Sequence, residues 1–562
     1  MDQKQHEYKV LPRYLIISIL EYLNCHLKEH RELNYTKFIS TLCLVSKEFY
    51  TEIVPKIQDY HYKIYFEGNL ESFIKRKIKN GLRVEMYLDS IMEEYIEHQD
   101  QIADNIYEIS AFEPHPLTIL AYIDFKPMSV VNFYASGIVN PNDLDRILSV
   151  SDQKMKLLEK LNLSFENDIN LNTQLPHLLN LNNQLKSMVL ASSGNFMDGI
   201  DILCRFSKLT HVSIDKTNIV CLDIINFLQN STILNSFEYD FHSQKTNVEH
   251  VSIIFKLICS KQTMEDVKLY NCNMPLSVLV HGINRNKSIK VLQIYGIINR
   301  IDEFNLKIKN QTLTKLYLYK DVFHYLENSI SILSLWVVPS SLQFIYIFNS
   351  HELMSREYFT KHHPNIVSIE LDGGAGRDTS QHLCDWISQN SPKLTEVIFH
   401  TNRDQLPPDF FTPVLQAISV SKYLSQFINS SPTEFAQINQ LIAMNHPTLY
   451  KISFSKAINW GISEITKSLI ANPVLRYIRI STIKCTVRES IQEFFQHLSL
   501  IISQNHQLSH IILPSPTQRE IGPDDFIDIQ RVIKENNQYL HQLDICTNHR
   551  IFRKYLNNQV IY

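Results

Sequence analysis

The stretch MEDVKLYNCNM (264–274) places apolar side chains at Met264, Val267, Leu269, Cys272 and Met274. Val267 and Leu269 are two apart, the period at which a strand turns successive side chains to one face. The frame of this stretch, an apolar residue followed by others three and five positions on, returns along the chain. Its first positions are Leu158, Leu185, Leu209, Leu234, Met264, Ile289, Leu313, Leu342, Ile366, Leu394, Leu449, Leu475, Leu508 and Leu540. A weaker copy at Leu424 (LSQFIN) fills the widest gap, and another starts at Met128 (MSVVNF). From Leu158 onward the copies lie 24 to 33 residues apart, the length of one short strand plus one helix. A period of that size marks a stack of like units, each packed on its neighbours.

Between the strands run SILSLWVV, TSQHLCDWISQN, INQLIAMN and SIQEFFQHLSLIISQN, whose apolar spacing is helical. Several end in Asn or Pro just before the next strand, as in NSP at 390–392, NHP at 445–447 and NP at 472–473. Asn tolerates a left-handed turn and Pro cannot continue a helix, so each pair predicts a helix end.

Composition agrees with a folded array. Of the 562 residues 44% are hydrophobic and 20% charged, enough to bury a core. A net charge of −4 gives no general electrostatic reason to bind nucleic acid or an anionic membrane. The nine cysteines stand singly with no CxxC pair, which predicts free thiols in a reducing compartment, cytoplasmic or nuclear. The N-terminal stretch MDQKQHEYKVLPRYLIISILEYL lacks the order of a signal peptide, and no 18-residue apolar run follows.

The repeats resemble the leucine-rich repeat, whose fuller pattern is LxxLxLxx(N/C)xL. MEDVKLYNCNM matches it throughout with Cys272 at the ladder position, and LTHVSIDKTNI (209–219) matches with Thr217 there. Asn402 and Asn548 hold the same offset in their own repeats. The resemblance implies an α/β solenoid over residues 126–562, with a parallel curved sheet and helices on its convex face.

Residues 10–57 differ in character. Leu15, Ile16, Ile19, Leu20 and Leu23 make a helical apolar stripe, and Phe38, Leu42, Val45 and Phe49 a second. Leu11-Pro12 stands just ahead, where Pro starts a helix without losing a needed hydrogen bond. This segment resembles an F-box. Leu11-Pro12 matches the family's opening pair, Ile19-Leu20 and Tyr22-Leu23 its apolar pairs, and Val45 to Phe49 its closing Val-x-x-x-Trp with Phe in the last place. The resemblance implies a small all-α segment after a tail at 1–9. Its contacts, through Leu11, Pro12, Ile16, Ile19, Leu20, Leu23, Val45 and Phe49, are with a Skp-type adaptor and, through that, a cullin. The whole chain then reads as a substrate receptor of a ubiquitin ligase, with the repeats holding the target protein. The alternative is a leucine-rich-repeat scaffold or regulator, for instance of small GTPases or cytoskeletal proteins, in which 10–57 only caps the first repeat. Residues 58–125, with KRKIK and DSIMEEYIEHQD, read as a mixed helical bridge.

Signs of chemistry are sparse. IELDGGAGRDTS (369–380) has the strand, glycine loop and helix order of a nucleotide or S-adenosylmethionine site, but its strand is in phase with the repeat at Ile366. A flexible turn is the better reading, and a degenerate methyltransferase around Asp372 the weakest of three functional readings. His26 and His30 beside Cys25 lie among Lys28, Glu29 and Arg31, a solvated helix face rather than a metal site. No HExxH, GxSxG or P-loop occurs. No nucleophile–base pair can be placed from spacing alone, so the expectation is a non-enzymatic protein without cofactor or metal.

Strand alternation sends positions two, four and six beyond each first residue to the face opposite the core. In the earlier repeats these include Asp215, Glu238 and Asp240. From Met264 to Leu342 they include Lys268, Tyr270, Tyr295, Lys315, Tyr317, Tyr319, Phe344, Tyr346 and Phe348. On strands about 4.8 Å apart these predict one solvent-accessible aromatic patch facing a partner protein.

Overall fold

In this computed structural model the described residues are 158–174, 184–192, 196–215, 218–219, 221–241, 247–298, 305–318, 332–347, 361–372, 384–388, 393–400, 411–458, 461–483, 490–514, 531–532, 540 and 542–546, with the backbone of 62–64, 84–88, 106–111 and 132–138. The segment at 10–57, the glycine loop after Asp372, Thr217, Asn402 and Asn548 lie outside them. The chain divides into two units, Met1–Leu257 and Ile258–Tyr562.

In the first unit β1 (Tyr62–Ile64), β2 (Val84–Leu88), β3 (Ile106–Ala111), β4 (Asn132–Ile138) and β5 (Lys160–Phe165) pair in sequence order, all parallel. After β6 (Ile169–Asn170) the ladder continues through β7 (Ser187–Ser192). β8 (Phe196–Asp198) precedes β9 (His211–Asp215), and β10 (Asn218–Ile219) precedes β11 (Ser236–Asp240). β7, β9 and β11 extend the ladder, while β6, β8 and β10 make a separate small parallel sheet. One register row reads Ile64, Met86, Ile109, Phe133, Leu161, Met188, Val212 and Phe237, apolar without exception. Of this row Leu161, Met188, Val212 and Phe237 are buried, and a one-residue slip would turn them outward, which fixes the register there.

Two sequence expectations are corrected by that row. The 58–125 bridge contributes β1, β2 and β3, so the parallel ladder begins well before residue 126. The copy assigned to Met128 starts two residues later, at Val130, since Phe133 pairs with Leu161. MSVVNF offers two frames on the same face, and neighbour pairing selects the later one.

The second unit holds β12 (Asp266–Met274), β13 (Val291–Ile298), β14 (Lys315–Leu318), β15 (Phe344–Ile347), β16 (Ser368–Asp372), β17 (Glu396–His400), β18 (Gln426–Glu434), β19 (Lys451–Ile458), β20 (Tyr477–Ile483), β21 (His510–Pro514) and β22 (Gln542–Cys546). Each pairs in parallel with the next. Its core row is Val267, Leu292, Leu316, Ile345, Ile369, Val397, Phe427, Ile452, Ile478, Ile511 and Leu543, every one buried. Each such burial stabilises by about 1.5–3 kcal/mol. Helices Phe411–Val420, Phe435–Ala443, Ile462–Ala471 and Ile491–Gln504 alternate with strands, and consecutive helices pack side by side. Ser490 starts the last of them with a capping box, accepting from Glu493 N while its own N–H donates to the Glu493 carboxylate. Where the sequence suggested a helix in SILSLWVV there is a single 3-10 turn, Ile332–Leu335.

Helices end where the asparagine signals at 445 and 472 stand, but by two different means. Asn445 takes the left-handed turn, with φ 49°. Asn472 does not, being extended at φ −81°. Its buried side chain acts instead: Nδ2 donates to the Ile442 carbonyl (2.8 Å) and Oδ1 accepts from Leu475 N (2.8 Å). Asn286, Asn310 and Asn505 do the same, each three residues ahead of its repeat's first apolar position. His363 and His446 hold that offset too and reach the Leu333 and Ser421 carbonyls. A primary amide has the donors and the acceptor needed to satisfy a carbonyl of the preceding repeat and an N–H of the following strand together.

Candidate functional site

The face opposite the core row of the second unit carries the predicted residues. Tyr270, on β12, stacks on Tyr295 of β13 with centroids 4.3 Å apart. Tyr317 of β14 lies against Phe344 (4.8 Å) and Tyr346 (6.2 Å) of β15. Lys315 is exposed, and Lys268, Tyr270, Tyr295, Tyr317 and Phe344 are half-buried. Tyr319 and Phe348 lie outside the described residues.

Tyr346 departs from expectation. Only 6% of it is accessible. It sits between Tyr317 and Glu370 in one register row, so both neighbouring strands cover its ring. In the first unit Asp215 and Glu238 are half-buried as the alternation requires, but Asp240 is buried.

Beyond the rings the same face turns polar. Ser368 donates to Glu396 Oε2 at 2.7 Å. Glu370 Oε1 lies 2.8 Å from His400 Nε2, and His400 Nδ1 lies 2.7 Å from Ser430 Oγ. These contacts bridge β16, β17 and β18 and were not foreseen. Spacing could not have found them, because the three residues are 30 apart and meet only through strand pairing. Further on, Lys451 of β19 lies over the Tyr477 ring of β20, 5.4 Å from its centroid.

The ladder cysteine is a core group. Cys272 is buried, its Sγ is 3.5 Å from the Tyr295 carbonyl, and burial pushes its thiol up to about 12. Gly296 lies opposite, where a Cβ would collide with the Cys272 carbonyl oxygen. Among the described residues no cluster of three metal-ligating side chains occurs, and no helix is long and apolar enough to cross a membrane.

No family model matches the sequence, and no curated protein matches it. Among solved structures, an internalin (InlF) of Listeria monocytogenes strain 4b F2365 is similar at 10% identity. The match covers 58% of this chain and 81% of that one, with a TM-score of 0.29.

Proposed function

We propose that this protein is a recognition subunit that binds a partner protein on the strand face of its second unit. The observation that carries this reading is the set of half-exposed rings Tyr270, Tyr295, Tyr317 and Phe344 on four consecutive strands. Aromatic side chains dominate interface energetics because they bury much area at small entropic cost. A face fixed by parallel pairing presents them already ordered, which lowers the entropic cost of binding.

The finer reading is a substrate receptor of a cullin–RING ubiquitin ligase. Its support is the apolar pattern of residues 10–57, with Leu11-Pro12 ahead of one stripe and Val45 to Phe49 closing the other. In that role the segment holds a Skp-type adaptor, and the repeats raise the target's effective concentration near the charged conjugating enzyme. Neither step needs a cofactor. The test is affinity purification of the full chain followed by mass spectrometry. Co-purifying adaptor and cullin, lost together in a Leu11, Pro12 and Ile16 triple variant, support the ligase role. A partner retained by that variant without adaptor or cullin supports a scaffold.

A further inference from the structure

Glu370, His400 and Ser430 form a chain of two short contacts on the solvent-facing row of β16, β17 and β18. The carboxylate at 2.8 Å from Nε2 favours the imidazole tautomer with its proton on that nitrogen. Nδ1 then holds a lone pair toward Ser430 Oγ at 2.7 Å, so the hydroxyl donates to a base already in place. Glu370 orients the ring and stabilises the imidazolium formed when that proton moves. The site is open: His400 and Glu370 side chains are 33% and 22% accessible, and Ser430 is half-buried.

The neighbouring groups suit an acyl substrate. Ile398 and Ile428 are paired in register, two residues before His400 and Ser430, and both are half-buried on the same face. They give an apolar floor of two side chains, enough for a short acyl chain. On the other side β18 bulges, setting Ser430 and Ser431 opposite the single residue Ser455 of β19. The bulge falls at Ser430 itself, beside the His400 contact.

We propose that Ser430 is an activated nucleophile and that the second unit hydrolyses esters of short, apolar acyl groups. Ser430 Oγ bonds to the acyl carbon as its proton passes to His400 Nδ1. Collapse of the adduct breaks the bond to the leaving alkoxide, which takes that proton and departs as an alcohol. Water then gives a proton to Nδ1 and attacks the acyl-serine, and Ser430 leaves with the proton returned. The sum is ester plus water to acid plus alcohol, with no oxidant or reductant.

The test uses the full chain and a fluorophosphonate probe, followed by peptide mapping and by p-nitrophenyl butyrate hydrolysis. In labelling, the Ser430 oxygen bonds to phosphorus, fluoride leaves, and the proton exits through His400. The expected result is one label per chain, on Ser430, absent in Ser430→Ala and unchanged in Ser419→Ala on an exposed helix face. His400→Gln should slow labelling at least about a hundredfold, since a positioned general base contributes about 10²–10⁴. Isosteric Glu370→Gln should slow it too while leaving the fold intact, which separates loss of orientation from unfolding. Failure to label Ser430, labelling equally fast in both variants, or butyrate turnover that survives Ser430→Ala would each overturn the proposal. Those results would reduce the chain of contacts to an ion pair with a serine attached.

Discussion

Replacing Asn310 with Leu should unlock one joint between repeats while leaving side-chain volume nearly unchanged. In the native chain Asn310 Nδ2 donates to the Ile283 carbonyl at 2.7 Å and the Asn286 carbonyl at 2.9 Å. Its Oδ1 accepts from Thr312 N and Leu313 N, both at 2.9 Å. Leu offers none of these, so two N–H groups and two carbonyls lose partners where water has little access. Each stranded buried group costs about 1–3 kcal/mol, less for a carbonyl that keeps another partner, and the added apolar surface offsets part of the loss. The net expectation is roughly 3–5 kcal/mol. In a repeat array this cost is local, so global melting would dilute it. Hydrogen exchange read by mass spectrometry resolves it: amides of β13 and β14 should lose about a hundred- to several-thousandfold of protection. Asn284 is the internal control. It bridges Lys307 O at 2.6 Å and Lys309 N at 2.7 Å in the same unit, but in an exposed setting where water replaces the lost bonds. Asn284→Ala should cost less than about 1 kcal/mol. Equal effects at the two sites would refute the claim that burial gives the ladder its weight.

Other perturbations probe separate parts of the molecule. Gly296→Ala forces a methyl into the Cys272 carbonyl oxygen, so β12 and β13 must separate, and a large loss of exchange protection in both strands is expected. Tyr317→Ala should weaken partner capture about thirtyfold, the equivalent of about 2 kcal/mol, with little change in melting temperature. Tyr346→Ala, at a ring only 6% accessible, should instead lower stability; the reverse pattern in a melting series would show the two roles exchanged. Burial pushes His363 down to about 4 from an ordinary 6.5. The unfolded chain therefore takes up the proton first as pH falls. Stability is full above about pH 6.5 and is lost on the way down to about pH 4, by an amount on the order of 3 kcal/mol. Denaturation midpoints across that window should fall in the native chain and stay flatter in His363→Gln.

Much of the fold was legible because its determinants are short-range and repeated. The core row of the second unit is the set of third positions in the sequence frame, including Phe427 from the weak copy at Leu424. Alternation alone then assigned Lys268, Tyr270, Tyr295, Lys315, Tyr317 and Phe344 to the opposite face. The same rule could not grade accessibility along that face, since whether a ring is covered depends on what the two adjacent strands bring. Tyr346 is covered because Tyr317 and Glu370 flank it in register. The asparagines were noticed for a backbone habit, the left-handed turn, and Asn445 follows it. Asn286, Asn310, Asn472 and Asn505 are there for their side chains instead. The sequence did hold a signal for that role: an amide or imidazole three residues ahead of the first apolar position, in repeat after repeat.

Chemistry that spans strands is the hardest thing to see in one sequence, and the polar row shows why. A nucleophile elbow or a metal-binding helix places its groups a few residues apart, where spacing carries the geometry. In a parallel ladder the contacting residues are a full repeat apart, and the repeat length varies between 24 and 33. Glu370, His400 and Ser430 become neighbours only once each strand's register is fixed, and that depends on the apolar rows behind them. The core residues of β16, β17 and β18 therefore set the distances on the solvent face. Shortening Phe427 to Ala, at a fully buried position, should disturb the His400–Ser430 contact as well as stability. The partner face and the proposed nucleophile are thus two products of one constraint. Parallel pairing fixes which side chains share a row, and the buried core row holds in register the solvent-facing row on the opposite side of the strands.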